Sequence, residues 1–188
     1  MIGASAGVAV GLFFPRRRFD FRGKAVLITG GSRGLGLVLA RKLVEAGAKV
    51  AIAARDIDEL DRAASDLRQH GGEVVTVQGD IRNENDAGRF VDECRIRFGS
   101  IDVLINNAGV IQVGPLEEQT EQDFRAAMDT HFWGPFYTMQ AAIPLMKRHG
   151  HGRIANIVSI GGKVAIPHLA PYCASKFALA GLSTAYSH

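Results

Sequence analysis

The sequence predicts a parallel β-sheet with helices packed on both faces. Two observations carry this reading. From Lys24 onward, short apolar runs rich in β-branched residues alternate with longer segments whose apolar residues recur at helical spacing. Glycines close those helical segments, and after residue 23 no repeat, low-complexity tract or linker interrupts the alternation. Residues 23–188 therefore read as one α/β domain, preceded by an apolar and basic leader over 1–22.

Each element has its own signal. Residues 24–29 form an apolar run that reads as a buried first strand, and 35–46 a helix closed by Gly47. A second strand is expected over 50–54, then an amphipathic helix over 58–70 that stops at Gly71-Gly72. A third strand over 74–78 precedes a helix over 84–98, ended by Gly99. A fourth strand over 103–106 runs straight into Asn107-Ala108-Gly109. Thr120, with Asp123 at the capping-box position, should open a long helix reaching about Lys147. Gly134-Pro135 and Pro144 lie inside that helix and should bend it. A fifth strand over 153–159, a loop over 161–171 and a last helix opening at Tyr172 complete the pattern.

Composition narrows the function classes. A hydrophobic share of 47% with 22% charged residues, over 188 residues, suits a soluble domain with a real core. The formal net charge of +3 is accounted for by Arg16, Arg17 and Arg18, so the fold carries no nucleic-acid surface charge. Cys94 and Cys173 have no metal-ligand spacing and indicate free thiols in a reducing compartment, hence a cytoplasmic location. His149 and His151 flank Gly150 in a turn, a solvated loop rather than a metal site.

The leader allows three readings. Residues 1–14 are uncharged and mostly apolar, and Pro15-Arg16-Arg17-Arg18 follows. As a helix this stretch spans about 21 Å, short of a hydrocarbon core of about 30 Å. A secretory signal would carry its positive charges before the apolar run, not after it. A disordered or weakly membrane-associated leader over 1–18 is favoured over an interfacial anchor or a clipped membrane helix.

The first chemical motif is Thr29-Gly30-Gly31-Ser32-Arg33-Gly34-Leu35-Gly36. Strand, glycine turn and helix start together aim backbone N–H groups and a helix dipole at one point, which suits a phosphate. The spacing Gly30-x3-Gly34-x-Gly36 is neither G-x-G-x-x-G nor a P-loop, and a glycine turn alone also serves any loop that needs positive φ. The end of the second strand adds discrimination. A dinucleotide with free ribose hydroxyls calls for an acid there, whereas a 2′-phosphate calls for a cation. Ala53-Ala54-Arg55 offers Arg55, and Arg33 could reach the same phosphate through paired N–H donors. This favours NADP(H) over NAD(H), although Asp56 follows directly and two solvated surface arginines are the plainer alternative.

The second motif is Tyr172 and Lys176, four residues apart and on one helix face, with Ser159 thirteen positions earlier. An ammonium on that face favours a phenolate, and a hydroxyl from another segment could hold a substrate oxygen.

Together these residues resemble the short-chain dehydrogenase/reductase superfamily, over Lys24 to about Ser187. The resemblance rests on the Thr29 to Gly36 turn, Asp80 after the third strand, Asn106-Asn107-Ala108-Gly109, Ser159 and Tyr172-x3-Lys176. It implies a Rossmann-like, doubly wound three-layer fold that binds a nicotinamide dinucleotide and moves hydride between its ring and a carbonyl or alcohol carbon. It implies that Gly30, Ser32, Arg33, Gly34, Leu35 and Gly36 line the cofactor, that Asp80 bonds the adenine with Ile81 beside it, and that Asn107, Ala108 and Gly109 floor the cleft. Asn106 would tie strands together. Tyr172 would be the general acid or base, Lys176 would hold the nicotinamide ribose, and Ser159 would position the substrate oxygen.

Two departures accompany the resemblance. Many relatives have an asparagine at a bend of the long helix where this chain has His131, whose backbone carbonyl or imidazole could serve in a proton relay or whose ring could simply be packed. Relatives also have further strands and a substrate loop after the catalytic helix, so the chain reads as truncated, with its fifth strand left as an edge. An NADP-dependent oxidoreductase, homo-oligomeric when complete, is the first reading. A non-catalytic cofactor-binding fragment or dimerising module is the second. The apolar loop with Gly161, Gly162, Val164, Ile166, Pro167 and Leu169 leans toward a hydrophobic carbonyl or alcohol, with His168 at the pocket edge.

Overall fold

The computed structural model describes residues 19–186, so the expectations for the leader over 1–18 lie outside the described residues. The strands are β1 (Ala25–Thr29), β2 (Lys49–Ala54), β3 (Val74–Gln78), β4 (Val103–Asn106) and β5 (Arg153–Asn156). The helices are α1 (Gly34–Glu45), α2 (Ile57–Gln69), α3 (Glu84–Phe98), α4 (Glu121–Met128), α5 (Gly134–His149) and α6 (Ala170–Ala185). All strands are parallel, in the order β3-β2-β1-β4-β5. The winding reverses between β1 and β4, where Thr29 stands level with Asn106. In such a sheet the crevice for a ligand opens at that reversal, beyond the carboxyl ends of the strands.

The period-two alternation of β1 builds the two faces of the core. Ala25 and Leu27 point to the side covered by Phe90 and Val91 of α3 and Met139 and Ala142 of α5. Val26 and Ile28 point to the side covered by Ala40 and Leu43 of α1 and Leu60 and Leu67 of α2. The expected three-layer α/β/α arrangement is therefore present. Among the described residues no helix is long and apolar enough to cross a membrane.

Other element ends shift by a residue or two, and three differences from the sequence reading have clear local reasons. The fifth strand ends at Asn156 rather than 159, because β4 itself ends at Asn106; Ile157 N–H takes the last Asn106 carbonyl at 2.8 Å and the chain turns away. The long helix is divided. Its capping box forms as expected, with Thr120 N–H to Asp123 Oδ2 at 2.8 Å and Asp123 N–H to Thr120 Oγ1 at 3.3 Å. A π-helical turn over Asp129–Trp133 then separates α4 from α5, and Gly134 N–H bonds the Asp129 carbonyl five residues back. Pro135 has no N–H to continue an α-helical ladder at that point. Finally, α6 opens at Ala170, since Pro171 occupies an early position whose N–H would have no helical partner.

Side chains lock the sheet at both ends. Near its carboxyl end Asn106 Nδ2 donates to Asn156 Oδ1 at 2.9 Å while Asn106 Oδ1 accepts from Thr138 Oγ1 at 2.8 Å, which is the strand-tying role expected of Asn106. At the opposite end, buried Asp102 accepts from Ala25 N–H at 2.9 Å, Ser100 Oγ at 3.2 Å and Lys24 Nζ at 3.3 Å, and bonds His151 Nε2 at 2.8 Å. Burial works to raise the Asp102 pKa, but the Ala25 N–H, His151 and Lys24 outweigh it and hold the carboxyl below its ordinary value. A depressed carboxyl pKa stabilises the fold above the unfolded value of about 3.9 and ceases to do so as pH falls through the folded value. Asp102→Asn should therefore cost about 2 kcal/mol at neutral pH in urea unfolding. The deficit should shrink as the solution is acidified.

Candidate active site

A cleft of about 840 Å³ opens at the β1/β4 reversal and runs from the glycine turn to α6. At one end its wall contains Ser32, Arg33, Arg55, Asp56 and Glu59; at the other it contains Val158, Tyr172 and Lys176. Asp80 and Ile81 lie along it, as do Asn107, Ala108 and Gly109.

The floor is set by a clasp between two strand ends. Thr29 Oγ1 accepts from Asn107 N–H at 3.0 Å and Ala108 N–H at 3.1 Å. Asn107 Nδ2 donates in return to the carbonyls of Thr29 at 3.0 Å and Gly30 at 3.1 Å. Glycine is required at this approach: a Cβ on Gly30 would meet Ala108 Cα at 2.8 Å, and one on Gly36 would overlap the Gly30 carbonyl.

The donor set fits a phosphate. α1 starts with no side-chain cap and no acidic residue in its first turn, whereas Asp56, Asn83 and Thr120 cap α2, α3 and α4. The first N–H groups of α1 and the positive end of its dipole thus face the cleft end without a competing carboxylate on their own helix.

Several expected site residues are occupied differently from the sequence reading. Arg33 donates to Glu59 Oε1 at 3.2 Å, and Ser32 Oγ donates to Glu59 Oε2 at 3.0 Å. Gly34 and Gly36 are not part of the cleft wall; Gly36 acts through the close packing of the turn. Asp80 is engaged by Arg82, whose Nη2 donates at 2.6 Å and whose backbone N–H donates at 3.0 Å. Burial opposes ionisation of Asp80, yet Arg82, helped by the charge of Arg55, holds its pKa low. Ser159 stands just off the cleft wall, its Oγ accepting from Gly161 N–H at 3.1 Å at the start of a 3-10 turn over Ile160–Gly162. That turn packs on Tyr172, since a Cβ on Gly161 would lie 3.1 Å from Tyr172 Cε1.

Lys176 is buried and has no carboxylate partner among the described residues. Its Nζ donates to the Ile157 carbonyl at 2.8 Å and lies 5.8 Å from the Tyr172 ring centroid. Burial pushes its pKa down to about 8.

His131 sits in the π-helical turn and is completely buried. Val110 N–H donates to Nε2 at 3.1 Å, so the ring proton is on Nδ1, which donates to Ser175 Oγ at 2.8 Å. Ser175 Oγ donates in turn to the Tyr172 carbonyl at 2.8 Å, and the His131 and Tyr172 rings meet edge-on with centroids 5.4 Å apart. Burial, assisted by the Lys176 charge, pushes the imidazole pKa down to about 3. The ring is thus neutral at neutral pH and packed in a bonded chain, which favours the packed alternative for His131 over proton exchange by its imidazole. Ser175 and Glu59 were not singled out from the sequence. Ser175 had a signal, lying three residues after Tyr172 in the expected helix; Glu59 had none.

The family profile for short chain dehydrogenase matches residues 24–188. The chain belongs to the short-chain dehydrogenase/reductase superfamily. It is 38% identical over 164 residues to an uncharacterized oxidoreductase of Thermotoga maritima, covering 87% of this chain and 64% of that protein. To the 11-beta-hydroxysteroid dehydrogenase-like 2 of Arabidopsis thaliana it is 42% identical over 159 residues, covering 84% and 51%. The crystal structure of a short chain dehydrogenase from Bacillus anthracis superposes with a TM-score of 0.82 at 31% identity, covering 87% of this chain and 68% of that one. The chain thus spans about half to two thirds of the length of these curated relatives.

The His131 arrangement yields a direct expectation. In nitrogen-detected NMR the ring should hold the Nδ1–H tautomer with no titration between pH 5 and 8. An inflection near 6.5, the ordinary histidine value, would contradict the bonding described.

Proposed function

We propose that this chain carries the cofactor-binding and acid–base parts of an NADP-dependent oxidoreductase that interconverts a carbonyl and an alcohol. The observation that carries the proposal is the continuity of one cleft from the glycine turn to Tyr172 and Lys176. When bound, the nicotinamide cofactor supplies the hydride and its two electrons.

The chain's own residues supply the rest. Tyr172 donates its phenolic proton to the substrate oxygen during reduction and takes it back during oxidation. The Lys176 ammonium, buried and without a carboxylate to neutralise it, stabilises the phenolate left behind. Ser159 keeps its own O–H for the substrate oxygen, because its bond to Gly161 uses it only as an acceptor. Asn107, Ala108 and Gly109 line the cofactor. Arg33 and Arg55 lie at the cleft end suited to a 2′-phosphate, which underlies the preference for NADPH.

An apolar substrate fits the mouth of the cleft. Ile111 and Val113 on one loop and Ile160 and Val164 on the other are exposed large hydrophobics. The loops are joined where the His168 carbonyl accepts from Gly114 N–H at 3.0 Å and Gln119 Nε2 at 3.2 Å. His168 has a left-handed φ of 64°, held by those bonds. The similarity to the Arabidopsis 11-beta-hydroxysteroid dehydrogenase-like protein supports the same reading. Homo-oligomer formation through α4, α5 and α6 belongs to the same reading, with Trp133 and Phe177 exposed in that region.

Tyr172→Phe should reduce NADPH-dependent reduction of apolar ketones and aldehydes by at least about a thousandfold while leaving NADPH binding within about twofold. Retained turnover would remove Tyr172 from the mechanism. In the wild type, reduction should decline as pH rises through about 8, where Lys176 loses its charge.

A further inference from the structure

Among the described residues, Glu59 is the one carboxylate from another element that bonds the side chains of the glycine turn. It lies in the first turn of α2, its N–H fixed by the capping Asp56 carboxylate at 3.0 Å. Its two oxygens are both committed to the turn, one to Ser32 Oγ at 3.0 Å and the other to Arg33 Nη1 at 3.2 Å. The Glu59 side chain is 22% exposed and that of Arg33 77%, so the carboxylate is the fixed partner and the guanidinium the movable one. Arg33, Arg55, Asp56 and Glu59 all line the same end of the cleft. Two cations and two anions therefore share the place where a phosphate group would be distinguished from a hydroxyl.

We propose that Glu59 is a specificity-determining residue: by holding Arg33 it tempers the preference of the cleft for NADPH over NADH. The proposal rests on the cofactor reading given above. A 2′-phosphate must draw Arg33 away from Glu59 and then lie near a carboxylate. Breaking an exposed ion pair costs little, but the like charge left beside the phosphate adds to the cost. NADH carries no such phosphate, so neither cost applies to it. Neutralising Glu59 frees Arg33 and removes the repulsion together.

The test is fluorescence titration of the full 188-residue chain with NADPH and with NADH, for the wild type, Glu59→Gln, Arg33→Ala and the double variant. Glu59→Gln should raise the ratio of NADPH to NADH affinity about threefold to tenfold. In the Arg33→Ala background the same substitution should raise it clearly less, since most of the effect passes through Arg33. Thermal melts without cofactor check folding, and Glu59→Ala, expected to shift the ratio the same way, is read if Glu59→Gln is unstable. An unchanged ratio, a shift toward NADH, or an equal gain in the absence of Arg33 would overturn the proposal. The wild-type ratio tests the underlying reading separately: a preference for NADH would defeat it while the change on substitution still judges Glu59. Binding of neither dinucleotide would overturn both.

Discussion

The hydrogen bonds that join Thr29 and Gly30 to Asn107 and Ala108 set the geometry on which the cleft depends. A parallel sheet whose winding reverses leaves two neighbouring strand ends whose chains depart to opposite faces. Without a tie between them the gap would widen. Here a threonine hydroxyl accepts two backbone N–H groups while an asparagine amide satisfies two carbonyls. The polar groups at this half-buried junction are thereby paired, which low local dielectric makes necessary. The missing side chains of Gly30 and Gly36 let the two segments approach closely enough for those bonds to form.

A second polar chain fixes the other end. Val110, His131, Ser175 and the Tyr172 carbonyl are connected in series by hydrogen bonds, which tie the loop after β4 and the π-helical turn to α6. His131 achieves this as a neutral ring, because burial removes its charge. Lys176 is held by the Ile157 carbonyl just beyond β5, so the sheet and α6 are tied by a charged donor as well. The proposed acid–base pair is in this way referenced to the same strand ends as the glycine turn.

Much of this was legible in the sequence because the signals were local. Strand and helix positions follow from short-range periodicity, and the Thr120–Asp123 capping box from a four-residue pattern. Asn106 was correctly read as a strand tie. Interactions between elements were less accessible. The pairing of Arg33 with Glu59 spans 26 residues and that of His131 with Ser175 spans 44, and no periodicity reports such contacts. The early end of β5 depended on where β4 ends, which is a property of the pair. A bend in the long helix was anticipated from Gly134-Pro135, but the division found there, a five-residue π-helical turn that buries His131, depends on packing against Ile81 and α6.

The central claim is that one cleft accepts a dinucleotide along its whole length, from the glycine turn to Tyr172. Amide chemical-shift mapping of the isotopically labelled chain during titration with NADPH tests it directly. The account requires the amides of Ser32, Arg33 and Leu35, of Ala108 and Gly109, and of Val158, Tyr172 and Lys176 to shift together with a single dissociation constant. Shifts confined to the surface of α3 and α5, or none at saturating NADPH, would contradict it.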